Sequence, residues 1–149
     1  MRAKKDPEMP TSTGLTDALY LLDTSALLTF IEDEDGSDRV EEILRGTGIL
    51  LPWPVLMETY YITLQKKGRA EADRRYALVR QLKADILWEM DEPILWTAAR
   101  LKAEHHLSLA DAVIAAFALQ HHAVLIHKDP EFEALAGFLP METLPYKVK

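Results

Sequence analysis

The chain contains no cysteine, which excludes disulfides and any thiolate metal site and fits a reducing, cytoplasmic setting. It has no apolar run approaching the ~18 residues that a membrane span requires. The most apolar stretch near the front, Ala18 to Ile31, is broken by Asp23. Met1 to Asp17 is polar and charged and lacks the apolar segment of a secretory signal. The chain also lacks an excess of cations: 17 Lys and Arg stand against 24 Asp and Glu, for a net charge of −7. Phosphate contacts are usually made by a basic surface, so a polyanionic partner would have to meet a local patch. The same balance suits carboxylates gathered around a cation. At 149 residues, the length favours one domain able to bury roughly two-thirds of the surface its unfolded chain exposes.

What is present is an alternation. Residues 1–17, with Pro7, Pro10 and Gly14, read as a flexible lead-in to a single domain over 18–149. Leu19 to Leu22, Ile49 to Leu51 and Ala123 to Ile126 are short continuous apolar runs, the pattern of strands buried on both faces of a parallel sheet. Ile86 to Trp88 and Glu142 to Leu144 are further strand candidates. Between them, helical spacing covers Ala26 to Ile31, a segment around Val40 to Leu44, Val55 to Lys67 and Ala70 to Lys83. It resumes over Glu92 to His105 and Leu109 to Gln120, with a short helix near Glu131 to Leu135. Alternating strands and helices argue for an α/β sandwich around a mostly parallel sheet.

In such sheets, ligands collect outside the carboxyl ends of the strands. Asp23 follows the first strand directly, and Asp129 follows the Ala123 to Ile126 strand. Asp111 lies in the first turn of its helix, and Glu58 near the start of the helix after Pro54. Topology can therefore bring the four together. Each also has a plainer reading. Asp23 can cap the helix that follows. Ser108-Leu109-Ala110-Asp111 fits a capping box. Glu58 can face solvent, and Asp129 can open a turn before Pro130. Glu32 to Asp35 reads as a solvated acidic loop.

His105, His106, His121 and His122 fall near helix ends, where imidazolium meets the negative end of the helix dipole. His127 stands two residues before Asp129, so in a continued strand both would face one way. It can touch substrate or metal there, or simply hydrogen-bond to backbone. Lys66, Lys67, Arg69, Arg74 and Arg75 cluster between two predicted helices. They can hold phosphates or form an ordinary solvated surface.

Four segments together resemble the PIN-domain ribonucleases, in particular the VapC-type toxins. They are Leu21 to Leu28, Pro54 to Tyr61 with Glu58, Leu107 to Ala116 with Asp111, and His127 to Phe132 with Asp129. The resemblance runs from about Ala18 to Leu144. It implies a three-layer α/β/α sandwich and Mg²⁺ or Mn²⁺ held by Asp23, Asp111 and Asp129, with Glu58 direct or through water. It further implies endonucleolytic cleavage of RNA, a small antitoxin partner and a homodimer. Two features depart from the family: His127 stands where threonine or serine is common, and the lead-in is longer than usual. A PIN-like binding module without activity is the main rival. A haloacid-dehalogenase-type phosphatase would need aspartate where the chain has Ser25. A DNA nuclease stays open, since nothing in the sequence reads a 2′-hydroxyl.

Overall fold

The computed structural model describes residues 18–148; the predicted lead-in over 1–17 lies outside them. In chain order the elements are β1 (Tyr20–Leu22), α1 (Thr24–Ile31), α2 (Ser37–Leu44), β2 (Ile49–Pro52), α3 (Trp53–Lys67), α4 (Arg69–Arg80) and β3 (Asp85–Leu87). There follow α5 (Glu92–Glu104), α6 (Leu109–Gln120), β4 (Val124–His127), a 3-10 helix (Pro130–Leu135) and β5 (Met141–Thr143). The five strands form one sheet in the order β3-β2-β1-β4-β5, parallel throughout.

The apolar runs pair as their composition dictates. Leu21 aligns with Leu50 on one side and Leu125 on the other, and all three are buried. The edge strands β3 and β5 are more exposed. The strand order steps outward from β1 to β3, then returns across β1 to β4. With right-handed crossovers, α1 to α4 cover one face and α5 and α6 the other. The outcome is the expected α/β/α sandwich. β1, flanked by β2 and β4, is the point where the strand order reverses.

Helix α6 carries most of the second face. Asp111 to Ala118 is buried without a break, and the alanines at 112, 115, 116 and 118 let its backbone approach its neighbours closely. Of the boundaries that differ from expectation, two lie next to the strand ends that matter most here. β4 includes His127, because its pairing with Thr143 in β5 extends the ladder one residue further. α3 begins at Trp53 rather than Val55: Pro52 is extended at the cap, and Pro54 sits in the first turn, where no N–H is required of it.

Overpacking α6 should be costly. Ala116→Leu is expected to lower the unfolding free energy by about 1–3 kcal/mol, read as a lower urea midpoint with an unchanged slope.

Candidate active site

Strands β1 and β4 lie side by side, and their carboxyl ends are tied together. The Asp23 N–H donates to the Ile126 carbonyl (3.1 Å). Ser25 Oγ lies 2.8 Å from both carboxylate oxygens of Asp23 and accepts the Lys128 N–H at 2.8 Å. Asp23 does cap α1, accepting the Ala26 N–H at 2.8 Å. Capping and site membership coincide here, because the cap falls where the strand meets the reversal point.

Asp111 is reached through half a capping box. Ser108 Oγ accepts the Asp111 N–H (3.1 Å), but the reciprocal bond is made by another residue: Glu131 accepts the Ser108 N–H at 3.1 Å. The Asp111 carboxyl is thereby released from capping duty. Asp129 caps the 3-10 helix by accepting the Glu131 N–H (2.9 Å). Glu58, in the second turn of α3, accepts a short hydrogen bond from Thr24 Oγ1.

All four predicted acids line one cavity of about 330 Å³, together with Glu131. Carboxylate oxygens of Asp111, Asp129 and Glu131 lie within 4.8 Å of one another; Asp23 and Glu58 line the same cavity outside that tight group. Glu131 was expected only as part of a short helix. Its one sequence signal is an acid two residues beyond a strand-end aspartate, a spacing that a 3-10 turn folds back toward the site.

The electrostatics follow from this crowding. Burial pushes Asp23 up to about 7, with Asp129 and Glu58 adding repulsion and the Ala26 N–H and Ser25 opposing it. Asp111 is pushed up to about 9 by burial, the hydrogen bond with Glu131 and the charges of Asp129 and Asp23. Glu131 is held below its ordinary value, first by the hydrogen bond from Asp111. The opposite shifts of the two carboxyls favour a proton held by the Asp111–Glu131 pair. Asp23 is 2% and Asp111 7% exposed, so this charge has little water to disperse it. The donors are all hard carboxylate oxygens, the set that suits Mg²⁺ or Mn²⁺, and a divalent cation would offset the repulsion they share.

His127 takes the plainer of its two readings, a hydrogen bond to backbone. The chain leaves the strand after it, so its ring does not follow Asp129 into the cavity. It is buried against Phe132. Its Nδ1 accepts the Asp129 N–H (3.1 Å), and its Nε2 lies 3.3 Å from Thr143 Oγ1. Burial pulls the imidazole below its ordinary value, so it is a neutral ring bracing the Asp129 backbone. The basic cluster divides into paired arginines and two lysines without an ion pair among the described residues. Arg75 is buried and bridges Glu32 and Glu71, both at 2.9 Å. Arg74 pairs with Glu71 and Arg69 with Asp73. Among the described residues, Lys66 and Lys67 have no ion pair, and both line a neighbouring cavity.

The family profile described as PIN domain matches residues 20–138. No curated protein matches. Solved structures do. VapBC2 from Rickettsia felis, bound to a promoter DNA fragment, superposes with a TM-score of 0.70 at 17% identity, covering 85% of this chain and 99% of that one. VapC20 from Mycobacterium tuberculosis, described as a sarcin-ricin loop cleaving toxin, gives 0.66 at 19%, over 85% and 99%. A toxin–antitoxin complex from Klebsiella pneumoniae gives 0.62 at 21%, over 87% and 99%. At these identities the likeness is one of fold.

The raised carboxyls set a pH dependence. A carboxyl whose folded value is raised supports the fold while protonated. That support is complete below its unfolded value of 3.8 and is lost as pH rises through about 7 for Asp23 and about 9 for Asp111. The metal-free chain should lose melting temperature between about pH 5 and pH 9. Mg²⁺ at about a hundred times its Kd should restore about 2.7 kcal/mol, with the larger gain at the alkaline end. Asp111→Asn should flatten the alkaline part of that slope and abolish the Mg²⁺ gain. Superimposable wild-type and variant profiles in differential scanning fluorimetry would contradict the assignment.

Proposed function

Since the chain belongs to the PIN domain family, we propose that it is a divalent-metal-dependent endoribonuclease, the toxin of a toxin–antitoxin pair. The observation that carries this reading is the convergence of Asp23, Glu58, Asp111 and Asp129 on one cavity at the strand-order reversal. Asp23, Asp111 and Asp129 are the proposed ligands of Mg²⁺ or Mn²⁺, with Glu58 direct or through water, and Glu131 joins the set. A bound ion there supplies Lewis acidity toward the phosphate and lowers the pKa of the attacking water.

The chain's own groups do the rest. Ser25 fixes the Asp23 carboxylate at both oxygens, and Ser108 fixes the backbone of Asp111. Glu58, like Asp129, is only partly buried, and it is held by a single hydroxyl. It is the group placed to take the proton from the attacking water. Asp111 must give up its shared proton before it can bind a cation, so cation binding and proton release are coupled.

RNA as substrate is supported by the fold likeness to a toxin described as cleaving the sarcin-ricin loop. An antitoxin partner is supported by likeness to toxin–antitoxin complexes. A homodimer follows from the family resemblance, and an apolar face is available for it. Met57, Tyr61 and Trp88 are exposed around a groove that Trp53, Tyr60 and Tyr76 also line. Among the described residues, no helix is long and apolar enough to cross a membrane. The rival reading, a catalytically weak or inactive module acting through a protein partner, had its best support in His127, whose ring lines no part of the acidic cavity, and the chelator assay separates the two.

A mixed RNA pool should be cleaved by the wild type, protected by chelator and cleaved again when Mg²⁺ or Mn²⁺ is returned. Asp23→Asn and Asp111→Asn should each slow cleavage by about 100-fold or more. Undiminished cleavage by both variants would contradict the reading.

A further inference from the structure

A second cavity, of about 370 Å³, adjoins the acidic one and shares Ser25, Leu28, Ile62 and Asp129 with it. Helix α3 runs along both. Glu58, Ile62 and Lys66 are spaced four residues apart, so they form one stripe on the helix, about 12 Å from first to last at 1.5 Å per residue. Acid, apolar side chain and ammonium thus follow one another in a line leading out of the proposed catalytic cavity.

The second cavity carries positive charge within a chain whose net charge is −7. Lys66 and Lys67 have no ion pair among the described residues. On another wall, Glu34 lies between two ammonium groups, Lys128 at 3.5 Å and Lys147 at 3.2 Å, so one positive charge is left over. Arg75 is compensated by Glu32 and Glu71. It contributes a fixed wall rather than free charge. Leu28, Ile62, Pro130 and Tyr146 supply its apolar and aromatic surface, and Ser25, Thr63 and Asp129 complete the lining. Tyr146 is anchored where its hydroxyl donates to Glu133 at 2.7 Å.

A pocket of this size that pairs cationic groups with aliphatic and aromatic surface suits an anion joined to a flat, weakly polar body. Cations alone would suit inorganic phosphate equally well, whereas the Leu28, Ile62, Pro130 and Tyr146 surface has no use for it. We infer that this cavity is a nucleotide subsite, taking the base against its apolar wall and the adjoining phosphate on Lys66 and Lys67, one step along the strand from the phosphate held at the acids. Its place beside a cleavage site rests on the nuclease reading; the binding itself does not. Base stacking on an aromatic side chain is tolerant of sequence, so the subsite favours single-stranded substrate over a paired helix.

The test is a titration of the full-length chain, with chelator present, by the 3′,5′-bisphosphates of the four nucleosides and by inorganic phosphate. At least one bisphosphate should bind 10-fold or more tightly than inorganic phosphate. A Lys66→Glu/Lys67→Glu variant, altered only at exposed positions, and a Tyr146→Ala variant should each lose at least 10-fold of that affinity. Affinity no better than that of inorganic phosphate, or bisphosphate binding unchanged in both variants, would overturn the subsite. Cleavage assays separate the two ideas. If RNA is cut and the lysine variant keeps the wild-type KM, the subsite falls and the nuclease reading stands. If bisphosphates bind as described and no RNA is ever cut, the nuclease reading falls and the subsite stands.

Discussion

Carboxylates buried within a few ångströms of one another cannot all be ionised without a counter-charge. Asp23 and Asp111 have almost no contact with solvent, and Asp129, Glu58 and Glu131 face the same space. The architecture is arranged around holding that repulsion in place. β1 and β4 are hydrogen-bonded neighbours, which fixes where Asp23 and Asp129 emerge. The two serines at 25 and 108 stiffen the approaches. Glu131 takes the capping bond that would otherwise turn Asp111 away. Without a cation, burial and repulsion raise Asp23 and Asp111 and so favour relief of the tension by protons. A site of this kind sacrifices stability when empty and recovers it when filled.

The distribution of charge accounts for how an acidic chain would handle the proposed polyanionic substrate. Net charge governs solubility and long-range attraction, whereas a substrate meets local fields within about a Debye length. The acids are gathered in one cavity and the unpaired lysines in the next. Among the described residues, several other cations are neutralised in place. Arg39 pairs with Glu142 and Glu42, Arg45 with Glu41, and Arg69, Arg74 and Arg75 of α4 with Asp73, Glu71 and Glu32. A count of basic residues along the sequence therefore overstates the cationic surface near α4 and misses the contribution of Lys128 and Lys147, which are distant in sequence and adjacent in space.

The fold was largely legible because buried parallel strands are continuous apolar runs, and the runs at Leu19, Ile49 and Ala123 are bounded by proline, glycine or acid. Helix α6 was legible to the residue, since Ser108 and the terminal glutamine with two histidines mark its ends. Asp23 and Asp129 could be placed by topology alone, because a strand end needs only the strand to be found. Glu131 could not, since it depends on a 3-10 turn whose direction is set by Asp129 capping and by the Ser108 N–H across the cavity. His127 was left with two readings for a related reason. Period-2 reasoning holds only while the strand continues, and here it stops one residue before the turn. The pairing of Arg75 with Glu32 joins residues 43 positions apart, beyond what local charge patterning can reveal.

Proton release on metal binding tests the central claim most directly. Mn²⁺ titrated calorimetrically into the metal-free chain near pH 7, in buffers of different ionisation enthalpy, counts the protons expelled per ion bound. The account predicts proton release, since burial and mutual repulsion raise Asp23 and Asp111 and favour their protonated forms before the ion binds, and release is expected to fall in Asp111→Asn. Mn²⁺ binding with no proton release, or no saturable binding at all, would contradict it.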